Sequence, residues 1–154
     1  MVPIGGSDYP RDVPDVLVAS DESWILEEVR SVLSGREDVT VREVSSGVDA
    51  VAAVHAKAPA LAVLDMQVGN MGGIAVTQEL RLDESADRLP HVPVLLLLDR
   101  RADVFLARRS GAEGYLVKPL DPIRLRRAVN ALLEGGTFED PSFQPPSVDA
   151  AAAS

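Results

Sequence analysis

The apolar residues of the chain fall into two patterns, short continuous runs and runs at helical spacing. Continuous or alternating runs predict strands, and they cover residues 15–20, 39–44, 61–64, 93–98 and 114–117. Apolar positions three or four residues apart predict helices, and these cover residues 22–34, 47–58, 72–82, 102–110 and 121–134. The chain therefore predicts five strands and five helices in strict alternation.

Such alternation is typical of an α/β fold in which helices cover both faces of a parallel sheet. We expect a doubly wound, five-stranded sheet in one domain over residues 15–135. Residues 1–14 contain Gly, Pro and Asp without periodicity and are expected to be a flexible lead-in. Residues 136–154 carry three prolines and an alanine run without a core pattern, so we expect disorder there unless a partner orders them.

Charged residues end three of the predicted strands. Asp21 follows the first, Asp65 ends the third, and Lys118 follows the fifth and precedes Pro119. Right-handed crossovers place the carboxyl ends of parallel strands at one edge of the sheet, where open α/β sheets bind ligands. We therefore expect the three side chains to meet. Taken alone, Asp65 is better explained as a helix cap or turn former, and an ion pair with Asp65 is the alternative explanation for Lys118.

Composition narrows the classes of protein. A chain of 154 residues suits one domain, and with 46% hydrophobic but only 4% aromatic residues its core must be aliphatic. The formal charge of -9 argues against direct nucleic-acid binding. The absence of cysteine excludes disulfides, and no apolar stretch reaches the roughly 20 residues of a membrane span. We expect a cytoplasmic protein. It carries no Walker loop or Ser-His set, so we do not expect an enzyme.

Four segments resemble the receiver domain of bacterial two-component response regulators, the chemotaxis-regulator-like family. They are residues 16–22, 62–66, 69–73 and 111–119, with the sequences VLVASDE, AVLDM, GNMGG and GAEGYLVKP. The resemblance covers about residues 15–135 and implies a flavodoxin-like sheet with strand order 2-1-3-4-5. No output domain follows in this sequence, which suggests a stand-alone receiver.

The resemblance also implies roles for individual residues. Asp65 corresponds to the phosphoacceptor, which receives its phosphoryl group from a histidine kinase or phosphotransferase, and Lys118 to the lysine that pairs with the phosphoryl oxygens. Asp21, Asp65 and the backbone carbonyl of Gln67 correspond to ligands of Mg²⁺, which prefers oxygen ligands. At most, self-phosphorylation and dephosphorylation at Asp65 would follow.

Two positions depart from the family pattern. Ser20 replaces the first acid of the metal-binding pair, so we expect Mg²⁺ to bind weakly, with Ser20 contributing only through water. Leu98 stands where the family has a switch hydroxyl, and residues 92–109 contain no Ser or Thr. Tyr115 corresponds to the aromatic switch residue, although packing against the fourth helix is the better explanation for it. Since leucine donates no hydrogen bond, we expect the switch to be uncoupled from phosphorylation.

A basic stretch near the fourth and fifth helices is a candidate docking surface, because receivers usually meet partners there. It comprises Arg100, Arg101, Arg108, Arg109, Arg124, Arg126 and Arg127. A merely solvated face is the alternative. Phe138 and Phe143, in the C-terminal tail, either have no role or anchor a short motif in a partner.

Three functions are compatible with these features. The first is an atypical receiver that acts by protein–protein docking. The second is a phosphorelay intermediate, which needs no switch. The third is an accessory subunit of a larger assembly, such as a respiratory or transcription complex, in which the site is vestigial and which could be membrane-associated.

Overall fold

The computed structural model describes residues 13–36 and 38–142. Parts of the expected lead-in and tail, residues 1–12 and 143–154 with Phe143, lie outside them. Strands and helices alternate through the described chain. The strands are β1 (Asp15–Ala19), β2 (Thr40–Val44), β3 (Leu61–Asp65), β4 (Val94–Leu98), β5 (Gly114–Val117) and β6 (Phe138–Glu139). The helices are α1 (Ser23–Leu33), α2 (Gly47–Ala56), α3 (Gly73–Ser85), α4 (Val104–Ser110) and α5 (Pro122–Leu133). A 3-10 turn, Arg101–Asp103, precedes α4.

All strand pairs are parallel, and the sheet order is β2-β1-β3-β4-β5-β6. The doubly wound flavodoxin-like fold and the order of the first five strands are confirmed. The expected count of five strands is wrong by one, since β6 adds a short sixth strand beside β5. With only two residues, β6 has no apolar run from which it could have been predicted.

Two apolar cores lie on opposite faces of the sheet. Successive strand residues point to opposite faces, so Leu17 and Ala19 belong to one core while Val16 and Val18 belong to the other. One face is covered by α2, α3 and α4 and the other by α1 and α5. The central strands β3 and β4 are buried along their whole length. This burial holds the carboxyl ends of the strands, and the side chains there, in a fixed arrangement.

Specific residues fix where the helices next to the site begin and end. Asp121 caps α5, its carboxylate accepting the Ile123 N–H at 2.9 Å, and Pro122 occupies the first turn. Gly111 ends α4 with φ at 91°, a left-handed conformation that favours glycine. Gly73 begins α3 close to the last residue of β3, and a side chain there would approach the Asp65 carbonyl oxygen to 2.8 Å. The loop between β3 and α3 is therefore pressed against the end of β3.

Candidate functional site

Asp65 lies at the centre of a polar pocket formed where β1, β3, β4 and β5 end. Its side chain is fully buried and both carboxylate oxygens accept hydrogen bonds. Ser20 Oγ donates to Oδ2 at 2.8 Å, and the Gln67 N–H donates to Oδ1 at 3.0 Å. Oδ1 also accepts from Lys118 Nζ at 2.7 Å. Charge-assisted bonds of this kind compensate for the desolvation of a buried carboxylate.

Lys118 lies in the same pocket, as predicted from the strand ends. Its side chain is 13% exposed, and its Nζ donates to Asp65 Oδ1 and, at 2.8 Å, to Asp99 Oδ1. Burial alone would lower the pKa of Lys118, but the hydrogen bonds and charges of the two carboxylates outweigh it and raise the pKa above its usual value. The amine is therefore a fixed cation between two acids. The following peptide bond, Lys118–Pro119, is cis.

Asp99 is a site residue that the sequence reasoning missed. It directly follows β4, and its Oδ2 is the one buried side-chain nitrogen or oxygen without a hydrogen-bond partner among residues 13–36 and 38–142. The rule that singled out Asp21 and Lys118, a charged residue just beyond an apolar strand, applies equally to Asp99. With Asp65 and Asp99 as anions and Lys118 as cation, the pocket has one surplus negative charge.

Residues beside Asp65 carry oxygen atoms of the type that a hard divalent cation binds. Asp21 is exposed and follows Ser20, which donates a hydrogen bond to Asp65. Asp21 also lies close to the loop after β3, since its Oδ2 would be 3.3 Å from a Cβ atom added to Gly69. Gln67 belongs to the same loop, and its N–H reaches Asp65. Carboxylate and carbonyl oxygens are the ligands that Mg²⁺ accepts, with water completing its shell. The described residues contain no group of three or more acidic, His or Cys side chains able to hold a metal.

Ser20 has a definite structural role in the pocket. It is fully buried, and its Oγ accepts the Glu22 N–H at 3.0 Å while donating to Asp65. The hydroxyl thus orients the Asp65 carboxylate.

Leu98 and Tyr115 both belong to the apolar core under α4. Leu98 ends β4 fully buried, packed in one cluster with Tyr115, Val104 and Val117. Tyr115 is 3% exposed, and burial, with a smaller contribution from Glu139, raises its pKa to about 12. The carboxyl end of β4 therefore presents an aliphatic side chain to this core.

The predicted basic surface is divided by the C-terminal segment, residues 136–142. Arg108 pairs with Glu139 at 3.2 Å, and Arg124 pairs with the fully buried Asp140 at 2.6 Å. Asp140 Oδ2 also accepts the Val117 N–H at 3.0 Å, which joins the segment to the edge of β5.

The other arginines of the basic surface are exposed: Arg100, Arg101, Arg109, Arg126 and Arg127. The first residues of the expected tail are thus ordered by the chain's own sheet, because β5 offers an open edge and Arg124 a cation. Phe138 packs against the core that α1 and α5 cover.

The fold and the pocket define a class of protein: a flavodoxin-like domain with a buried carboxylate and a lysine at the carboxyl edge of its sheet. Residues 16–130 match the response regulator receiver domain, and the chain belongs to this family. Among the described residues no helix is long and apolar enough to cross a membrane.

Named relatives agree with this family. The chain is 33% identical over 120 residues to the DNA-binding response regulator MtrA of Mycobacterium tuberculosis, covering 77% of this chain and 50% of MtrA. It is 30% identical over 129 residues to the response regulator protein VraR of Staphylococcus epidermidis, covering 82% and 59%. The chain thus spans about half the length of these curated relatives.

Among solved structures, the receiver domain of the putative response regulator NarL from Mycobacterium tuberculosis matches with a TM-score of 0.70 and 30% identity, over 80% of this chain and 98% of that one. A two-component response regulator of the LuxR family from Aurantimonas sp. matches with a TM-score of 0.74 over 92% and 96% of the two chains. At 23% identity, this second likeness concerns the fold alone.

Proposed function

We propose that this receiver acts by protein–protein docking and that it accepts a phosphoryl group at Asp65 without the usual conformational readout. The observation that carries the proposal is Leu98, fully buried at the end of β4 where the family has a hydroxyl. A phosphoryl group on Asp65 finds no side-chain donor there, so phosphorylation cannot draw the loop after β4 inward by that bond.

The acceptor chemistry is supported by Asp65 and Lys118. In the transfer, a carboxylate oxygen of Asp65 forms a bond to phosphorus while the bond from phosphorus to the donor breaks, and its electron pair leaves with the donor. Lys118 is placed to neutralise charge on the phosphoryl oxygens. Asp21, Asp65 and the Gln67 carbonyl would hold Mg²⁺, which when bound supplies further charge neutralisation. No turnover beyond self-phosphorylation and dephosphorylation of Asp65 is part of the proposal.

The proposed docking surface is the part of the basic stretch that is not paired with the C-terminal segment. Arg100 and Arg101 precede α4, Arg109 lies on α4 and Arg127 lies on α5, and all four are exposed. Arg100 also pairs with Asp103 at 3.1 Å. An acidic surface of a partner protein is the complementary chemistry. Arg108 and Arg124 are already paired with Glu139 and Asp140, and they contribute to docking only where a partner displaces the C-terminal segment.

A phosphorelay intermediate is the second candidate. The intact contact between Asp65 and Lys118 favours it, because passing a phosphoryl group from a kinase to a phosphotransferase requires an acceptor and a cation but no switch. In this role the partners would be a histidine kinase and a histidine phosphotransferase.

The test is acetyl phosphate with Mg²⁺, followed by mass spectrometry under conditions that preserve acyl phosphates and by backbone chemical shifts. We expect modification at Asp65, none in Asp65→Ala, and shift changes confined to the pocket. Leu98→Thr is the matched variant, because it restores a hydroxyl at nearly the same position, and in it the changes should spread to Tyr115. Large concerted changes in the chemical shifts of Leu98 and Tyr115, after acetyl phosphate treatment of the protein without substitutions, would reject the uncoupling. Absence of any modification favours the accessory-subunit role.

A further inference from the structure

Asp99 reaches from the end of β4 into the pocket of Asp65. Its Oδ1 accepts from Lys118 Nζ at 2.8 Å, and the same nitrogen donates to Asp65 Oδ1 at 2.7 Å. Because both carboxylates bind one nitrogen, they lie within two hydrogen-bond lengths of each other. Asp99 is thus held close to the Asp65 carboxylate, which would accept the phosphoryl group.

Capping of the following helical turn does not explain this position. Asp103 performs the capping, since its Oδ2 accepts the Arg100 N–H at 3.1 Å and its Oδ1 accepts from the Arg100 guanidinium at 3.1 Å. Asp99 makes its one side-chain hydrogen bond within the described chain to Lys118, and its second oxygen is buried without a partner. The side chain therefore serves the pocket and not the helix.

An ammonium group has three N–H donors, and two of those on Lys118 are committed to carboxylates. A phosphoryl group on Asp65 needs the same donors. It also brings additional negative charge close to Asp99, and like charges at this separation repel strongly in a partly buried site. Occupancy of the pocket by phosphate and the present position of Asp99 are thus in conflict.

We propose that Asp99 is a positioning residue, which holds Lys118 in the pocket and competes with an incoming phosphoryl group for this ammonium. The proposal rests on the acceptor function proposed for Asp65. With the Asp99 carboxylate bound to Lys118, the pocket without phosphate already contains an anion where a phosphoryl group would bind. A phosphoryl group enters only when Asp99 gives up Lys118.

The test measures the binding of beryllofluoride, a non-reactive phosphoryl analogue, in the presence of Mg²⁺ by calorimetry and fluorine NMR. Asp99→Asn keeps the shape and an oxygen acceptor but removes the charge, and Asp99→Ala removes both. We expect each to bind beryllofluoride about tenfold more tightly than the unmodified protein. Glu22→Gln is the matched control: it removes one charge near the same edge, where Glu22 Oε2 contacts Trp24 and not Lys118, and it should change affinity less than about twofold.

A second readout concerns Lys118 itself. The chain has two lysines, Lys57 and Lys118, so a ¹⁵N-lysine spectrum reports the Lys118 ammonium against the exposed Lys57. We expect a slowly exchanging Lys118 signal that moves and broadens in Asp99→Ala while Lys57 stays unchanged. Circular dichroism establishes that each variant is folded.

The outcomes separate the two proposals. Equal or weaker beryllofluoride binding in both Asp99 variants overturns the competition. If neither the unmodified protein nor any variant binds beryllofluoride, the acceptor function of Asp65 fails. The lysine spectrum then decides whether Asp99 holds Lys118: a Lys118 signal unaltered by Asp99→Ala overturns the positioning role, and an altered one supports it.

Discussion

Replacing Asp140 with alanine is expected to destabilise the domain, although Asp140 lies beyond the last helix. Its carboxylate is fully buried and accepts from the Val117 N–H at 3.0 Å, from Arg124 Nη1 at 2.6 Å and from the Ser142 N–H at 3.0 Å. Alanine removes both acceptor oxygens and, with them, all three hydrogen bonds. The N–H of a buried strand and a guanidinium that is 18% exposed then lose their partner.

The expected loss in the free energy of unfolding follows from the groups that Asp140→Ala leaves without a partner. A buried N–H without a partner costs about 1–3 kcal/mol, and removal of one member of a buried ion pair costs about 3–5 kcal/mol when nothing replaces it. Arg124 keeps its bond to the Pro119 carbonyl at 3.2 Å and its contact with Asp121, which reduces the second cost. We therefore expect a loss of about 3 kcal/mol, or roughly 6–12 °C in Tm for a domain of this size.

Guanidinium and thermal unfolding, followed by circular dichroism, measure this loss. Asp140→Asn retains an oxygen acceptor without the charge and should lose about half as much. Glu139→Gln is the matched control, because both side chains of the Glu139–Arg108 pair are partly exposed to solvent and such pairs contribute less than about 1 kcal/mol. A stability of Asp140→Ala within about 0.5 kcal/mol of the unmodified protein would refute the reasoning, since the C-terminal segment would then not be docked on β5.

Three further results are expected. The pKa of Tyr115 is raised to about 12, so the stabilisation from its neutral phenol is complete below pH 10 and is lost as the pH rises through 12. Phenolate absorbance should show this late titration, and Tyr115→Phe assigns it. Hydrogen bonds to His55 and Arg88 lower the pKa of Asp83. The stabilisation from the Asp83 carboxylate is therefore present above the ordinary pKa of 3.8 and is lost as the pH falls through the lower folded value. The stability of Asp83→Asn should lack this dependence on pH in acid unfolding. Ser20→Asp should tighten Mg²⁺ binding roughly tenfold in calorimetry, and an unchanged affinity would place the ion elsewhere.

The core of the fold was predictable because its signals are local. Continuous apolar runs such as those of β3 and β4 belong to strands buried on both faces, and helical spacing in α1 and α5 marks the faces that cover them. β6 could not be predicted in this way. Its two residues pair with β5 because Asp140, the next residue, is anchored by Val117 and Arg124, and none of these contacts leaves a periodic pattern in the sequence.

The pocket was predictable in part for the same reason. The rule that parallel strands end at one edge brought Asp65 and Lys118 together, and the structure places their side chains 2.7 Å apart. Asp99 satisfies the same rule but did not stand out in sequence, since it begins a charged stretch that also suits a solvated turn. Its contact with Lys118 depends on the pairing of Leu98 with Val117 across β4 and β5.

The sequence by itself determined the alternation of strands and helices, the two-faced aliphatic core, and the kinds of charged group at the carboxyl edge of the sheet. These properties depend on residue type and spacing, which the chain carries locally. Only the tertiary structure decided that Lys118 is shared by two carboxylates and that the C-terminal residues cover the edge of β5. Such contacts join residues far apart in the chain, and their existence depends on strand register and backbone path to within about 1 Å, since a hydrogen bond is lost when its atoms separate further.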